Sequence, residues 1–327
     1  MTWTRLNDVI GGNTSFLISS HVNPDGDCIG SQLAFAWYLE SLHKETVIFN
    51  RDAVPRKLRF LDGSGRISNE RPARAFDVLI VLDSSNPDRL GWSGYETAAP
   101  VIVNIDHHED NAAFAALNIV DTHSAATGQI LYRFFTDTGV AYPPPVAQAL
   151  YTAIMTDTGG FRFSNTNGAV LRACADLADK GADCAEAYRR LYASDSPAGL
   201  LLKSRIWSTA TFYFGGKICS MEMPMSLIDE IGADYGDSEG MADYTIAADG
   251  VEAGMLIKYN DKESHFSLRS AGAVDVGQIA RTITGGGGHT NAAGCTIGRP
   301  IEQARALMLD ILGKELANAR TRHSVRR

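Results

Sequence analysis

Short apolar runs alternate with helix-like segments over the first part of the chain. The runs at residues 15–19, 78–82 and 101–105 are each about five residues long, which is typical of strands buried on both faces of a sheet. Residues 28–42 carry apolar side chains close to a helical period, and residues 46–49 then resume a strand. This order of strand, helix and strand predicts an α/β domain with a parallel sheet.

Two further helices are predicted downstream of these strands. Residues 124–138 place four large apolar side chains on one side of a helix. The proline run at residues 143–145 interrupts the chain, and the next helix begins there because proline is tolerated in a first helical turn. That helix carries Asp157 near its end, just before the glycine pair at residues 159–160, which is a typical helix stop.

The pattern changes beyond about residue 190. A connecting helix leads into strands that include a hairpin of residues 255–259 and 265–269, and a glycine run and a final helix follow. These segments predict a second, smaller α+β domain. The predicted organisation is an α/β domain over residues 1–193, a linker helix over 194–211, the smaller domain over 212–319, and a basic, disordered tail over 320–327.

Composition limits the classes of function. The 327 residues correspond to about two domains. The net charge of −8 argues against a broad basic surface that follows a long nucleic acid. Five scattered cysteines without a C-x-x-C spacing make a disulfide framework or a structural zinc site unexpected. We therefore expect a protein of the reducing cytoplasm, with neither a signal peptide nor a membrane span.

Acidic and histidine side chains follow each predicted buried strand. One group, at residues 21–27, follows the first run, Asp83 follows the second, and an Asp-His-His triplet at residues 106–108 follows the third. Open α/β sheets build their sites at the carboxyl ends of such strands. We therefore expect these side chains to form a two-metal centre with Asp157. Six side chains are the candidate metal ligands: His21, Asp25, Asp27, Asp83, His107 and Asp157.

The donor set favours manganese. Mg and Mn prefer carboxylate oxygen, and Mn also accepts imidazole. Two ions are expected because Asp25 and Asp27 lie on one tight loop and can reach adjacent ions, and because Asp83 can bridge them. Any one of these residues alone is explained as a helix cap or a turn residue. The whole set is not, since like charges at neighbouring strand ends are costly without a cation. We interpret Cys28, beside Asp27, as a small buried helix residue rather than a ligand or nucleophile.

These motifs resemble those of the DHH phosphoesterases. The segments that match are residues 21–31, Asp83, residues 106–108 and residues 156–159, and the run at residues 285–289 with residues 292–294 resembles the accompanying DHHA1 domain. The similarity covers nearly the whole chain and is strongest to the branch of oligoribonucleases and 3′-phosphoadenosine 5′-phosphate phosphatases often called nanoRNases. It implies a DHH domain joined by the linker helix to a DHHA1 domain, with the active site in the cleft between them.

The resemblance also implies a role for each motif residue. His21, Asp25 and Asp83 would hold one Mn, and the second would be held by the remaining ligands together with Asp83. Mg or Co would be weaker substitutes. Asp106 would orient its neighbours and His108 would face the substrate phosphate, so these two are the candidate catalytic residues. The second Mn would take these ligands: Asp27, Asp83, His107 and Asp157.

Candidate substrate-binding residues lie mainly in the second domain. A glycine run can present backbone N–H groups to a phosphate, although it also suits a flexible loop. Arginine binds phosphate with two hydrogen bonds, and the family has an arginine at the position of Arg269. In the first domain, Arg162 either approaches the site or covers the domain edge. The predicted substrate-binding set is Arg162, Arg269, Gly286, Gly287, Gly288 and His289.

The sequence leaves several activities open. The favoured one is Mn-dependent hydrolysis of short oligoribonucleotides and of 3′-phosphoadenosine 5′-phosphate. Cyclic dinucleotide hydrolases share both signatures. Hydrolysis of pyrophosphate or polyphosphate is a further alternative, but a pyrophosphatase of this superfamily would carry an Arg-Lys cluster instead of the glycine run. A non-catalytic nucleotide-binding module would have lost a ligand, and none is missing here. The sequence does not decide whether the chain forms a homodimer, or what Gln129 does in place of the glutamate usual in the family.

Overall fold

A computed structural model describes residues 3–272, 274–283, 285–288 and 290–324, and for residues 320–324 it describes the backbone alone. Contacts between Cα atoms divide the chain into two units, the first ending at Ser194 and the second beginning at Asp195. In these described ranges, none of the helices is both long and apolar enough to cross a membrane.

The first unit contains a five-stranded parallel sheet, which confirms the predicted α/β class. Its strands are β1 (Ser15–Ser19), β2 (Glu45–Ile48), β3 (Val78–Leu82), β4 (Val101–Asp106) and β5 (Leu117–Val120). They lie in the order β2-β1-β3-β4-β5, so β3 is central and β1 and β4 are its neighbours. The three strands that the apolar runs predict are therefore adjacent, and their carboxyl ends lie at one edge.

Burial on both faces explains the continuous apolar sequence of β3. Ile80 and Leu82 belong to one hydrophobic cluster, and Leu79 and Val81 belong to a second cluster that does not contain them. All four side chains are fully buried. A strand covered on one face would instead alternate apolar and polar residues.

The described part of the first unit contains six α-helices. They are α1 (Thr4–Gly12), α2 (Gly26–Ser41), α3 (Thr127–Thr138), α4 (Pro144–Asp157), α5 (Gly168–Asp179) and α6 (Cys184–Tyr192). Helix α4 begins directly after Pro143, in agreement with the prediction from the proline run. Helices α2 and α4 approach each other closely at Gly30, where an added Cβ would lie 2.3 Å from the carbonyl oxygen of Ala149.

The second unit contains a separate mixed sheet. Its strands are β6 (Thr211–Tyr213), β7 (Ile218–Pro224), β8 (Ala253–Tyr259), β9 (Ser264–Ser270), β10 (Gly287–Gly288) and β11 (Ala292–Ile297). They lie in the order β10-β11-β9-β8-β7-β6, and β7 and β8 are the parallel pair. The predicted hairpin is present as β8 and β9, and Asn260 closes its turn by accepting hydrogen bonds from two backbone N–H groups.

The described part of the second unit contains four α-helices: α7 (Pro197–Trp207), α8 (Ser226–Ile231), α9 (Val276–Arg281) and α10 (Ile301–Ser324). Helix α7 lies within the predicted linker segment. Helix α10 continues to Ser324, beyond residue 319 where the sequence predicted a disordered tail to begin. The polar residues after 319 include neither proline nor glycine, so nothing in their backbone chemistry ends a helix. Residues 325–327 of that predicted tail lie outside the described residues.

Candidate metal centre

The loop after β1 places two carboxylates at the start of α2. Asp25 is the N-cap of this helix, and its carboxylate accepts hydrogen bonds from the backbone N–H groups of Asp27 and Cys28, at 3.0 and 3.1 Å. Between the two acids, an added Cβ on Gly26 would lie 2.4 Å from the side chain of Thr156, at the end of α4. Glycine therefore allows the loop to pack against the helix that carries Asp157.

The carboxylate of Asp27 is fully buried and lies at the N-terminus of α3. It accepts hydrogen bonds from the backbone N–H groups of Thr127, at 2.6 Å, and Gly128, at 2.8 Å, and from the Ser31 hydroxyl at 3.0 Å. The positive end of the helix dipole supports its negative charge there. Burial and the nearby carboxylates of Asp83 and Asp157 nevertheless raise the pKa of Asp27 well above its usual value.

Asp83 lies between two imidazoles directly after β3. Its carboxylate is 3.3 Å from Nε2 of His21 and 3.4 Å from Nε2 of His107. Although burial opposes it, hydrogen bonds from these two histidines hold the pKa of Asp83 well below its usual value. The residue also has a φ of 57°, a left-handed conformation that is uncommon outside glycine.

His107 links the ends of β4 and α4. Its Nε2 is 3.1 Å from the carboxylate of Asp157 and also approaches Asp83. Burial opposes protonation, but hydrogen bonds to Asp157 and Asp83 raise the pKa of His107 well above its usual value. Two imidazole–carboxylate contacts thus converge on one imidazole nitrogen.

Asp106 and His108 form a hydrogen-bonded pair at the same edge. The Nδ1 atom of His108 is 2.7 Å from one carboxylate oxygen of Asp106, and the Asn111 amide donates to the other oxygen at 2.6 Å. Asp106 is fully buried, so its carboxylate has a fixed orientation. Nδ1 of His108 is thus held by Asp106, the residue for which the sequence predicts an orienting role.

Three groups of potential ligand atoms are present in the described residues, with the atoms of each group within 4.8 Å of one another. Asp83 belongs to two of the groups and His107 also belongs to two, so neighbouring groups share a residue. The groups are His21, Asp25, Cys28 and Asp83; Asp83, His107 and His108; and Asp27, His107 and Asp157. All six predicted metal ligands are therefore brought together.

The chemistry of this donor set fits divalent metal ions. The four carboxylates of these groups repel one another unless protons or cations lie between them. Oxygen and imidazole nitrogen are the ligands that Mn prefers. His21, Asp25 and Asp83 would hold one ion, and Asp27, His107 and Asp157 would surround a second.

Cys28 lies closer to the centre than its interpretation as a simple core residue suggested. It is fully buried in α2, and its thiol is 2.6 Å from the Ser20 hydroxyl. Burial raises the pKa of the Cys28 thiol to about 12. Burial lowers the pKa of His21, but Cys28 and Asp83 act in the opposite direction and raise it to about 12. Cys28 thus packs in the core and also borders the first group of ligand atoms.

The structure adds residues that the sequence did not single out. Ser31 and the N–H groups of Thr127 and Gly128 hold Asp27, and Gln129, at a position where the family usually has glutamate, was the signal in the sequence closest to Thr127 and Gly128. The amide oxygen of Gln129 accepts a hydrogen bond from the backbone N–H of Ala125 at 2.7 Å. A glutamate oxygen would accept the same bond, so the replacement preserves the loop contact.

The predicted substrate-binding residues have different environments. In the first unit, Arg162 donates to the Gly159 carbonyl at 2.7 Å, two residues beyond Asp157. In the second unit, Arg269 lies in β9 and pairs with Asp243 at 2.6 Å. The predicted glycine set is Gly286, Gly287 and Gly288, and His289, predicted with it, lies outside the described residues.

The glycine run is more ordered than a flexible loop. Gly287 and Gly288 form β10 and pair with β11. An added Cβ on Gly286 would lie 2.1 Å from the carbonyl oxygen of Ala280, so α9 packs directly against this backbone. The close approach requires glycine for structural reasons, independently of any phosphate.

Family models match both units. The model for the DHH family N-terminal domain matches residues 15–154, and the model for the DHHA1 domain matches residues 215–318. The bifunctional oligoribonuclease and PAP phosphatase NrnA of Thermus thermophilus is 35% identical over 309 residues, which cover 92% of this chain and 90% of that protein. The chain belongs to the DHH family. It is therefore an enzyme that hydrolyses phosphoric ester bonds, and DHH phosphoesterases are metal-dependent.

Other DHH relatives extend over the same length. The bifunctional oligoribonuclease and PAP phosphatase NrnA of Bacillus subtilis is 26% identical over 316 residues, covering 95% of this chain and 99% of that protein. The crystal structure of an exopolyphosphatase-related protein from Bacteroides fragilis has a TM-score of 0.91 and 26% identity, covering 97% of both chains. The DHH and DHHA1 architecture therefore spans both units described above.

Proposed function

We propose that this DHH enzyme hydrolyses short oligoribonucleotides and 3′-phosphoadenosine 5′-phosphate with the help of two Mn ions. The observation that carries the proposal is the convergence of six ligand side chains on groups that share Asp83 and His107. The oligoribonuclease and PAP phosphatase names of the two full-length relatives support the choice of substrates.

The residues of the chain have separate tasks in this proposal. His21 and Asp25 would hold the first ion, Asp27, His107 and Asp157 would hold the second, and Asp83 would be a ligand of both. The ions supply the positive charge that lowers the pKa of an attacking water and neutralises the phosphate oxygens.

The remaining polar residues act on the substrate. Asp106 holds the imidazole of His108 at Nδ1, and His108 is proposed to face the substrate phosphate. Arg162, Arg269, the glycine backbone and His289 are proposed to bind the substrate, with Arg269 contributing a planar guanidinium that suits a phosphate.

Charge favours short substrates over long ones. The chain carries a net charge of −8, and residues 218–257 contain nine acidic residues and no lysine, arginine or histidine. A long RNA needs a basic track for its phosphates, and the binding then weakens steeply with salt. We therefore expect RNAs of roughly two to five nucleotides to be hydrolysed with higher kcat/KM than long RNAs.

A substrate panel tests this proposal. With Mn present, a dinucleotide RNA and 3′-phosphoadenosine 5′-phosphate should be hydrolysed, and a 20-mer, a cyclic dinucleotide and pyrophosphate should be poor substrates. Excess chelator should abolish activity, and Mn should restore it better than Mg or Co. Equal kcat/KM for the 20-mer and the dinucleotide would contradict the length preference, and a preferred cyclic dinucleotide would assign the alternative activity.

Two aspartates at opposite ends of β3 provide a matched pair of variants. Asp83→Asn removes the shared charge and should abolish hydrolysis and lower the bound Mn at both positions, as measured by metal analysis. Asp77→Asn makes the same change before the strand, away from the ligand groups, and should keep both activity and metal. Full Mn content in Asp83→Asn would overturn the bridging role.

A further inference from the structure

Two exposed aromatic rings contact each other in the second unit. Trp207 is the last residue of α7, and Tyr244 lies in a short 3₁₀ helix, Met241–Ile246. Their ring centroids are 5.1 Å apart and the rings meet edge to face at 74°. The residues are 39% and 45% exposed, so a large part of both rings faces solvent. Neither ring has a role in the chemistry described so far.

The backbone that carries the two rings is anchored in a buried core. Leu202 and Ile206 of α7 belong to the same hydrophobic cluster as Met241 and Ala242 of the 3₁₀ helix, and all four are buried. Both segments are therefore anchored in the hydrophobic core by these residues, while their aromatic side chains remain exposed to solvent. Ring positions that are fixed before a ligand arrives reduce the entropy lost on binding.

The aromatic pair lies next to the arginine proposed to bind phosphate. Asp243, the residue before Tyr244, accepts a hydrogen bond from Nε of Arg269 at 2.6 Å. The Nη1 atom of Arg269 donates to the carbonyl oxygen of Leu268 at 3.0 Å, so the guanidinium has a defined orientation. Tyr244 is the chain neighbour of Asp243, so the residue that pairs with Arg269 and one ring of the aromatic pair lie on the same short 3₁₀ helix.

The charged residues near Tyr244 in the sequence favour a neutral group over a phosphate as the ligand of the two aromatic rings. Tyr244 lies within the segment of residues 218–257, in which nine side chains are acidic and none is basic. Three of these carboxylates pair with basic side chains from outside the segment: Glu222 with Arg305, Asp243 with Arg269, and Glu252 with Lys217. The remaining acidic side chains repel a further phosphate but not a neutral ring. Nucleobases stack on aromatic side chains with little dependence on their identity, because every base has a π face.

We propose that Trp207 and Tyr244 form a stacking surface for a nucleobase of the nucleotide whose phosphate Arg269 binds. The inference rests on the proposed function for the role of Arg269, and it adds a base-recognition site to that function. Asp243 positions Arg269 and thereby sets the spacing between phosphate and base. The stacked base is bound without a strong preference for one base over another.

The stacking site is tested by removing one ring and measuring KM for a substrate with a base and for a substrate without one. Tyr244→Ala should raise KM for 3′-phosphoadenosine 5′-phosphate roughly 5- to 100-fold and should leave the hydrolysis of a base-free deoxyribose 3,5-bisphosphate unchanged. Tyr244→Phe, which keeps the ring, should retain a KM close to that of the wild type. Tyr235→Ala removes another exposed tyrosine of the same unit and should change neither substrate's KM.

Equilibrium binding provides a readout that needs no turnover. Trp207 is the only tryptophan after residue 194, so the fluorescence that Trp207→Phe removes belongs to this site. Adenosine 5′-monophosphate should quench that part of the emission from the Mn-loaded enzyme, and deoxyribose 5-phosphate should not. If adenosine 5′-monophosphate quenched the Trp207 emission but no nucleotide were hydrolysed, the proposed function would be refuted and the stacking site would still be supported. Hydrolysis with equal KM in wild type and Tyr244→Ala, or equal losses for both substrates, would overturn the stacking site alone.

Discussion

Asp83 shows how a single residue is constrained by the site it serves. A left-handed backbone at a non-glycine residue costs of order 1 kcal/mol or more, and it persists when the surroundings enforce it. Here the Asp83 N–H donates to the Ile105 carbonyl oxygen at 3.0 Å, and the side chain lies between His21 and His107. The conformation therefore turns the Asp83 carboxylate, at the end of β3, towards the two groups of ligand atoms to which Asp83 belongs.

Asp77 shows how one carboxylate secures the start of a strand. Its carboxylate accepts hydrogen bonds from the N–H groups of Thr14 and Ser15 and from the Thr14 hydroxyl, all at 2.9 to 3.0 Å. The backbone bonds from Thr14 and then Ser15 are the main reason why the pKa of Asp77 falls to about 2. Asp77 thus ties the amino end of β3 to the start of β1.

A pH dependence of stability follows from this shift. Because the pKa is lower in the folded protein, the Asp77 charge stabilises the fold above about pH 4, and the contribution is lost as the pH falls towards about 2. Asp77→Asn should therefore be less stable than wild type at pH 7, with a difference that shrinks on acidification. Urea unfolding of both proteins at a series of pH values measures it. A difference that stays constant down to pH 3 would contradict the assignment.

At the scale of elements, the close contact of α2 and α4 determines the spacing of the ligands. Helix α2 carries Asp27 in its first turn, and α4 ends at Asp157. Gly30 of α2 lies against the Ala149 carbonyl and the Ala153 side chain of α4. A larger residue at this position would separate the helices and the ligands they carry.

The same substitution at two helical glycines should have opposite effects. Gly30→Ala places a Cβ 2.3 Å from a backbone oxygen that cannot move freely, so we expect a loss of about 1–3 kcal/mol and weaker Mn binding. Gly11→Ala in α1 meets no atom within 4 Å and should leave stability unchanged or raise it by up to about 1 kcal/mol. Chemical denaturation measures both. Equal stability of the two variants would show that the helices adjust without cost.

At the scale of the whole molecule, all candidate metal ligands belong to the first unit. Each ion that binds only the folded state should stabilise that unit by about 2.7 kcal/mol at a concentration of 100 times its Kd. Calorimetry with and without Mn should show a higher unfolding midpoint for the transition of the first unit, and a chelator should reverse it. Asp83→Asn should show little of this increase. An equal increase in the variant would mean that Mn stabilises the protein at another place.

The sequence alone was sufficient for β1 to β4, for α2, α3 and α4, and for the selection of candidate metal ligands, whereas α1, β5, α5 and α6 were not predicted. A continuous apolar run predicts a strand that is covered on both faces, as β3 is. The polar residues that follow such strands lie at one edge of the sheet because parallel strands run in the same direction. The six candidate ligands could be selected because each lies close to the end of a recognisable strand or helix. The turn at Asn260 and the helix start at Pro144 were readable because their chemistry is local.

Only the tertiary structure decided which groups contact each other. The order β2-β1-β3-β4-β5 places Asp83 between His21 and His107, and the packing of α3 on α2 brings the N–H groups of Thr127 and Gly128 to Asp27. The exposed pair of Trp207 and Tyr244 is likewise invisible in the sequence, because its members come from separate helices. Local periodicity determines what an element is and which face it buries. Distances between residues far apart in the chain depend on strand order and helix packing, which the three-dimensional fold alone determines.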